Sequence, residues 1–239
     1  MGDTALHVAS SNGHLEIVKI LILQYKMPGT QIVDFQVENT KFKIVLVNCL
    51  NEFKMTPLYL SSRAGQTEVV AFLLEKNANL EIVSLEQASP LYVACEYGAL
   101  QVVALLLQYG ANIDKPMKSG ATPLVIASQK GFNTIFRMLL DNGADPNPSG
   151  AEGLNALHLS IIGGNVDAVQ MLLDAGALLN VQSHTGQTAL HLAVQKEQTH
   201  VVGLLLKYGA DFTLKNLLGK TPFDESNDKL HIKQLFEGI

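Results

Sequence analysis

Thr122-Pro123-Leu124-Val125-Ile126-Ala127-Ser128-Gln129-Lys130-Gly131 reads as one short, fully punctuated helix. The Thr122 hydroxyl suits the capping position, and Pro123 stands in the first turn, where a missing N–H costs nothing. Leu124 and Ala127 fall three apart on one face, with Ile126 beside them, and Ala127 is small enough for a neighbouring helix to approach closely. Gly131, nine residues after the threonine, supplies the left-handed turn that ends the helix. The same offset holds Gly13, Gly65, Gly98 and Gly164. Outward from this stretch the pattern repeats, with first positions at Thr56, Ser89, Thr122, Asn155, Thr188 and Thr221, each 33 residues after the last. A further copy starts at Thr4, 52 residues before Thr56. A self-similar period of about 33 residues marks stacked repeats rather than one globular core.

A second apolar stripe follows each first helix at i, i+1, i+4 and i+5, as in Val102, Val103, Leu106 and Leu107, or Val201, Val202, Leu205 and Leu206. It ends in Gly110, Gly143, Gly176 or Gly209, 21 residues after the capping residue. Polar residues then reverse the chain into Gly120, Gly153, Gly186 or Gly219, two before the next cap. Each unit is a turn, a helix, a second helix and a loop, with apolar faces that only a neighbour can cover.

At these residues the chain resembles the ankyrin-repeat proteins. The family pattern Gly-x-Thr-Pro-Leu-His-x-Ala stands here as Gly186-Gln187-Thr188-Ala189-Leu190-His191-Leu192-Ala193. Its closing Leu-Leu-x-x-Gly-Ala-Asp stands as Leu139-Leu140-Asp141-Asn142-Gly143-Ala144-Asp145. The resemblance implies an all-α ankyrin-repeat solenoid of about seven helix-turn-helix units, with hairpin loops projecting as fingers. One domain over 1–239 is expected, with units near 2–22, 54–80, 87–115, 120–148, 153–181, 186–214 and 219–239. It also implies protein recognition on the concave finger and helix surface, without intrinsic catalysis or a cofactor.

Some positions depart from the pattern. Glu197 replaces the mid-repeat glycine of the sixth unit, so that turn is expected to be strained or longer. Lys54 and Gln87 replace finger glycines of the second and third units. The seventh unit loses the pattern after Phe223, and its polar residues suit a terminal cap with one face in solvent. The first unit carries no equivalent cap, which suggests either a preceding domain or an edge used for association. An irregular insertion is expected over 24–53. Within it, Ile32–Val37 and Lys41–Val47 alternate around Glu38-Asn39-Thr40, which reads as an enlarged hairpin finger; a mobile insertion or non-native sequence are the other readings.

Composition narrows the function further. The apolar fraction of 47% is ample for a core, and no apolar run approaches the ~20 residues of a membrane span. Net charge is −5, with 17 Lys and Arg scattered among 22 Asp and Glu, which points to protein partners and away from nucleic acid. Two cysteines, Cys49 and Cys95, make no disulfide framework, and Met1-Gly2-Asp3-Thr4 enters the first repeat without a signal peptide. A reducing compartment, cytoplasm or nucleus, is expected.

His7, His158 and His191 share one repeat offset, three after the cap, which points to a structural bond between neighbouring turns rather than to metal ligation. No nucleophile-base pair emerges, and Gly163-Gly164 lacks the lysine of a phosphate loop. Leu139, Asp145 and Asn147 match, by family resemblance, the spacing accepted by the oxygen-dependent asparaginyl hydroxylase. Asn147 is then the candidate for hydroxylation, against the plainer role of an Asn bonding its own turn. The positions free of the repeat pattern lie before each cap and at the end of each first helix. They are Arg63, Glu96, Tyr97, Gln129, Lys130, Leu154, Ile162, His184, Gln187, Gln195 and Lys196, the candidate partner-binding set. Leu154 and Ile162 would form its apolar centre, or Ile162 would turn inward beneath the finger; Lys130 and Lys196 would form a positive rim. The chain reads as a binding scaffold or adaptor, or as the recognition module of a larger channel, kinase or ubiquitin-ligase subunit. An enzyme would need a convergent cluster of titratable groups that these offsets do not provide.

Overall fold

A computed structural model describes residues 2–23, 47–148 and 151–237, and among them every regular element is helical. The chain divides into two compact units, Met1–Lys118 and Ser119–Ile239. The first holds α1 (Ala5–Ser11), α2 (Leu15–Leu23), α3 (Pro57–Arg63), α4 (Thr67–Glu75), α5 (Pro90–Glu96) and α6 (Leu100–Gln108). The second holds α7 (Pro123–Gln129), α8 (Asn133–Asp141), α9 (Ala156–Ile162), α10 (Val166–Asp174), α11 (Ala189–Gln195), α12 (Thr199–Lys207) and α13 (Leu230–Glu237). Each unit is a stack of helix pairs, as the repeat period implies, with short inner helices of seven residues and outer helices of nine.

The caps work as their residue types require. Thr56, Ser89, Thr122, Asn155 and Thr188 each accept the backbone N–H three residues on, from Tyr59, Tyr92, Val125, His158 and His191. The core lies between helix layers. In the first unit Leu58, Val70, Leu73, Leu91, Val102 and Leu106 are fully buried; in the second, Leu124, Phe136, Leu139, Leu157, Leu172, Leu190 and Leu205 are. The last position of the outer stripe is looser in some repeats than its sequence suggests. Leu107, Leu140 and Leu206 are only half-buried there, whereas Leu74 and Leu173 at the same position are buried.

The departures from consensus resolve in the backbone. Lys54, Gln87 and Glu197 keep the left-handed conformation of the glycines they replace, with φ of 58°, 61° and 56°. The Glu197 turn is therefore strained but no longer than its neighbours, with Thr199 starting α12 as Asn133 starts α8. The expected hairpin over Ile32–Val47 falls almost entirely on 24–46, outside the described residues. Val47 is buried, and further on Asn51 Oδ1 accepts from the backbone N–H of Phe53 and Met55, forming a turn just before the Thr56 cap. In the seventh repeat a 3-10 turn, Asp224–Ser226, stands where a first helix is expected. Asp224 and Ser226 bond local backbone, to Thr221 N–H and Phe223 C=O, and Asn227-Asp228 follow; such side chains compete with helical bonding. The final helix, α13, is held by Phe236, whose ring meets Phe212 and Phe223 edge-on at 5.9 and 5.7 Å.

Candidate protein-binding surface

Fingers are aligned by two ladders that repeat along each unit. At the tips, Leu85 N–H donates to Phe53 C=O, and Lys118 N–H to Glu86 C=O. In the second unit His184 N–H donates to Glu152 C=O, and Leu217 N–H to Thr185 C=O. At the finger bases a side-chain oxygen accepts from the next repeat. Asn48 takes the N–H of Asn79 at 2.8 Å, Glu81 that of Asn112 at 2.9 Å, Asn147 that of Leu178 at 2.7 Å and Asn180 that of Asp211 at 2.9 Å. Burial would raise the Glu81 carboxyl, but the Asn112 N–H and the Lys115 ammonium, 2.9 Å away, hold it below the usual range.

The histidines tie neighbouring repeats together, as their shared offset suggests. His7 Nε2 donates to Met55 C=O at 2.9 Å, His158 Nε2 to Gln187 C=O at 3.1 Å and His191 Nε2 to Lys220 C=O at 3.0 Å. Each Nδ1 faces the backbone N–H of its own cap, Thr4, Asn155 or Thr188. With both ring nitrogens engaged, these imidazoles act as struts. Burial pushes His158 below its ordinary value, against the opposing pull of its backbone bonds to Gln187 and Val181.

Cys49 lies near His7 and Thr4, its Sγ 3.9 Å from His7 Nδ1 and 3.6 Å from Thr4 Oγ1. Burial raises its thiol, with the Thr4 contact pulling the other way, so it stays protonated at neutral pH. Cys95 is buried in α5 and pushed up likewise. Among the described residues no group of three His, Cys, Asp or Glu could hold a metal ion. No helix there is long and apolar enough to cross a membrane.

The side chains singled out at variable offsets divide by exposure. Arg63, Tyr97, Gln129, Lys130, Ile162, His184, Gln195 and Lys196 are exposed, and Glu96, Leu154, Gln187 and Asn147 are half-buried. Ile162 is 41% exposed although Ile161 beside it is fully buried, so it ends α9 facing solvent and not under the finger. Gln195 is engaged by both carboxylate oxygens of Glu225 at 3.0 Å, and the Gln187 carbonyl is held by His158. Asn147 bonds its own turn through Asp145 Oδ1 and the next finger through Leu178 N–H, while Leu139 is buried in the core.

In the first unit Arg63 lies over the Tyr97 ring, 5.3 Å from its centroid. The pair edges a groove of about 500 Å³ lined also by Asp3, His7, Val8, Ser11, Asn12, Leu60 and Ala64. Val8 and Leu60, each four residues after a cap, are missing from the sequence-derived set, as are Ser11 and Asn12. The signal was there: Ser11 and Asn12 occupy in the first repeat the offsets of Arg63 and Ala64 in the second. Leu217 and Leu218, at 77% and 80% exposure on a fingertip, were also not singled out.

Known proteins agree with this architecture. The crystal structure of the ankyrin repeat domain of Bcl-3, described as a unique member of the IkappaB family, superposes with a TM-score of 0.84 at 25% identity, covering 99% of each chain. The crystal structure of the human ASB11 ankyrin repeat domain gives 0.76 at 25% identity, over 98% of this chain and 97% of that one. No curated protein matches the sequence. The model of a single ankyrin repeat matches residues 1–28, and the model of three ankyrin repeats matches 30–117, 81–150 and 124–216. With capped helix pairs, laddered fingers and histidine struts all at one spacing, the chain belongs to the ankyrin-repeat family, whose fold is a generic protein–protein interaction module.

Proposed function

We propose that this chain is a non-catalytic scaffold or adaptor that captures a protein partner on its concave finger and helix surface. The observation that carries the reading is the division of labour within each repeat. Caps, histidines, stripes and finger bases are spent on packing, whereas the ends of the inner helices hold exposed side chains that pack against nothing essential. Ile162 supports it most directly, as an exposed branched apolar residue at an offset the core does not use. Leu154 and Ile162 form the apolar centre of the second unit's surface, with Lys130 and Lys196 as its cationic rim; apolar anchors with polar surrounds are the usual hot-spot arrangement.

The chemistry of the titratable groups supports the absence of catalysis. The ring nitrogens of His7, His158 and His191 are spent on backbone groups, and the cysteine thiols are held protonated. The Leu178 bond supports a structural role for Asn147 over a hydroxylated one. A second reading, recognition module of a larger protein, is favoured by both solved neighbours being described as ankyrin repeat domains.

The test is affinity capture with the intact chain, compared with Leu154→Asp/Ile162→Asp and, separately, Lys130→Glu/Lys196→Glu. Partners retained by the wild type should be lost from the first variant and weakened with the second, with melting temperatures close to wild type for the lysine pair. Retention of the same partners by both variants would place binding elsewhere.

A further inference from the structure

We infer that the groove of the first unit is an acidic-peptide site, which takes an extended segment carrying an apolar side chain beside an Asp or Glu. This deepens the protein-binding reading and rests on it. Three features select that occupant. The first is an apolar floor: Val8 is 50% exposed although Leu6 and Ala9 on the same helix are buried, and it faces the groove with Leu60. A branched side chain left half in water on the inner helix, where its neighbours pack, is a surface waiting for an apolar group.

The second feature is Arg63. It is exposed, forms no ion pair among the described residues, and lies over the Tyr97 ring at 5.3 Å. The ring contact restrains its rotamers, and no ion pair among the described residues engages its N–H groups. A pre-oriented guanidinium edge fits a carboxylate through two parallel bonds, a geometry an ammonium cannot reproduce. The third feature is an anion in the same groove. Asp3 lines it, and its carboxylate is fixed by Asn51 Nδ2 at 2.7 Å. With the anion on the finger side and the cation on the helix side, the occupant's acid is directed to Arg63 and repelled from Asp3, which sets a direction for the peptide. Tyr97, 54% exposed, gives the apolar side chain an aromatic edge to pack against as the acid engages the arginine.

The experiment is selection of a phage-displayed random dodecapeptide library on the intact chain, followed by affinity measurement on synthetic versions of the enriched peptides. Enriched sequences should share an Asp or Glu next to a Leu, Ile, Phe or similar residue. Arg63→Glu should weaken them by at least about tenfold, as should Val8→Asp, whereas Arg63→Lys should weaken them less than Arg63→Glu does. Replacing the peptide acid by lysine should restore binding to Arg63→Glu, a rescue that a misfolded variant would not give. Absence of enrichment, or enriched peptides without an acid, would overturn the inference. Acidic peptides that ignore Arg63→Glu and Val8→Asp but are lost with Leu154→Asp/Ile162→Asp would overturn it while leaving the broader binding reading intact. Peptides insensitive to all three variants would overturn both.

Discussion

Gly186 has φ of +74°, and a Cβ there would come 2.9 Å from Leu217 N and 3.0 Å from Asn216 Cα, both backbone atoms of the next finger. Gly143 has φ of +86° with nothing within 4 Å of the same point. The pair separates conformational strain from steric conflict. Gly143→Ala should cost about 1 kcal/mol from the left-handed backbone alone, and Gly186→Ala clearly more, about 2–3 kcal/mol, because two fingers must part. Urea midpoints compare them, and equal losses would contradict the close approach. His158 allows a pH test. Its folded value lies below the ordinary value of about 6.5, so the unfolded chain binds more protons in mildly acid solution. Its contribution is then complete above pH ~6.5 and declines as pH falls from there through the lowered folded value. Wild type should lose more melting temperature than His158→Gln between pH 7.5 and 5.5. The opposite order would mean that the folded protein favours the imidazolium.

At the scale of elements, α8 and α13 contrast a helix of the regular repeats with the one that follows the last irregular turn. Phe136 is fully buried in α8 among the helices of the second unit, so Phe136→Ala should cost about 3–5 kcal/mol. Phe236 is buried in α13 largely by Phe212 and Phe223, and Phe236→Ala should cost less and act by fraying α13. Hydrogen exchange distinguishes the two: protection should fall locally over 230–237 for Phe236→Ala, and throughout the second unit for Phe136→Ala. Leu140 serves poorly as the probe in α8, since it is half-buried while Leu139 carries the core position. Finger bases are elements too. Asn147→Ala removes the acceptor for Leu178 N–H and should cost about 1 kcal/mol, seen as faster exchange at that amide.

For the whole molecule, the binding surface and the scaffold should respond separately to mutation. Lys130→Glu/Lys196→Glu changes exposed groups outside the packed layers, so capture should fall with the denaturant midpoint held within about 0.5 kcal/mol. Loss of stability in step with capture would assign those lysines to the scaffold. The far-ultraviolet spectrum should be dominated by helix.

The 33-residue period, the caps from Thr56 to Thr188, the helix-ending glycines and the three strut histidines were all legible in the order of residues. Each of these rests on local chemistry: a hydroxyl three residues from an N–H, a glycine at φ > 0, an apolar stripe at helical spacing. Lys54, Gln87 and Glu197 show the limit of that local reading, since neighbouring repeats hold non-glycine residues left-handed at a cost the stack absorbs. Only the packed structure decided that Ile162 faces solvent and that Leu140 gives way to Leu139. The same is true of the Arg63 guanidinium over the Tyr97 ring, and of Val8 joining both along a groove whose residues are spread from Asp3 to Tyr97. Those are contacts between residues some 30 to 90 positions apart. Periodicity fixes which face of a helix is turned inward, but which exposed side chains meet depends on the stacking of one repeat on the next.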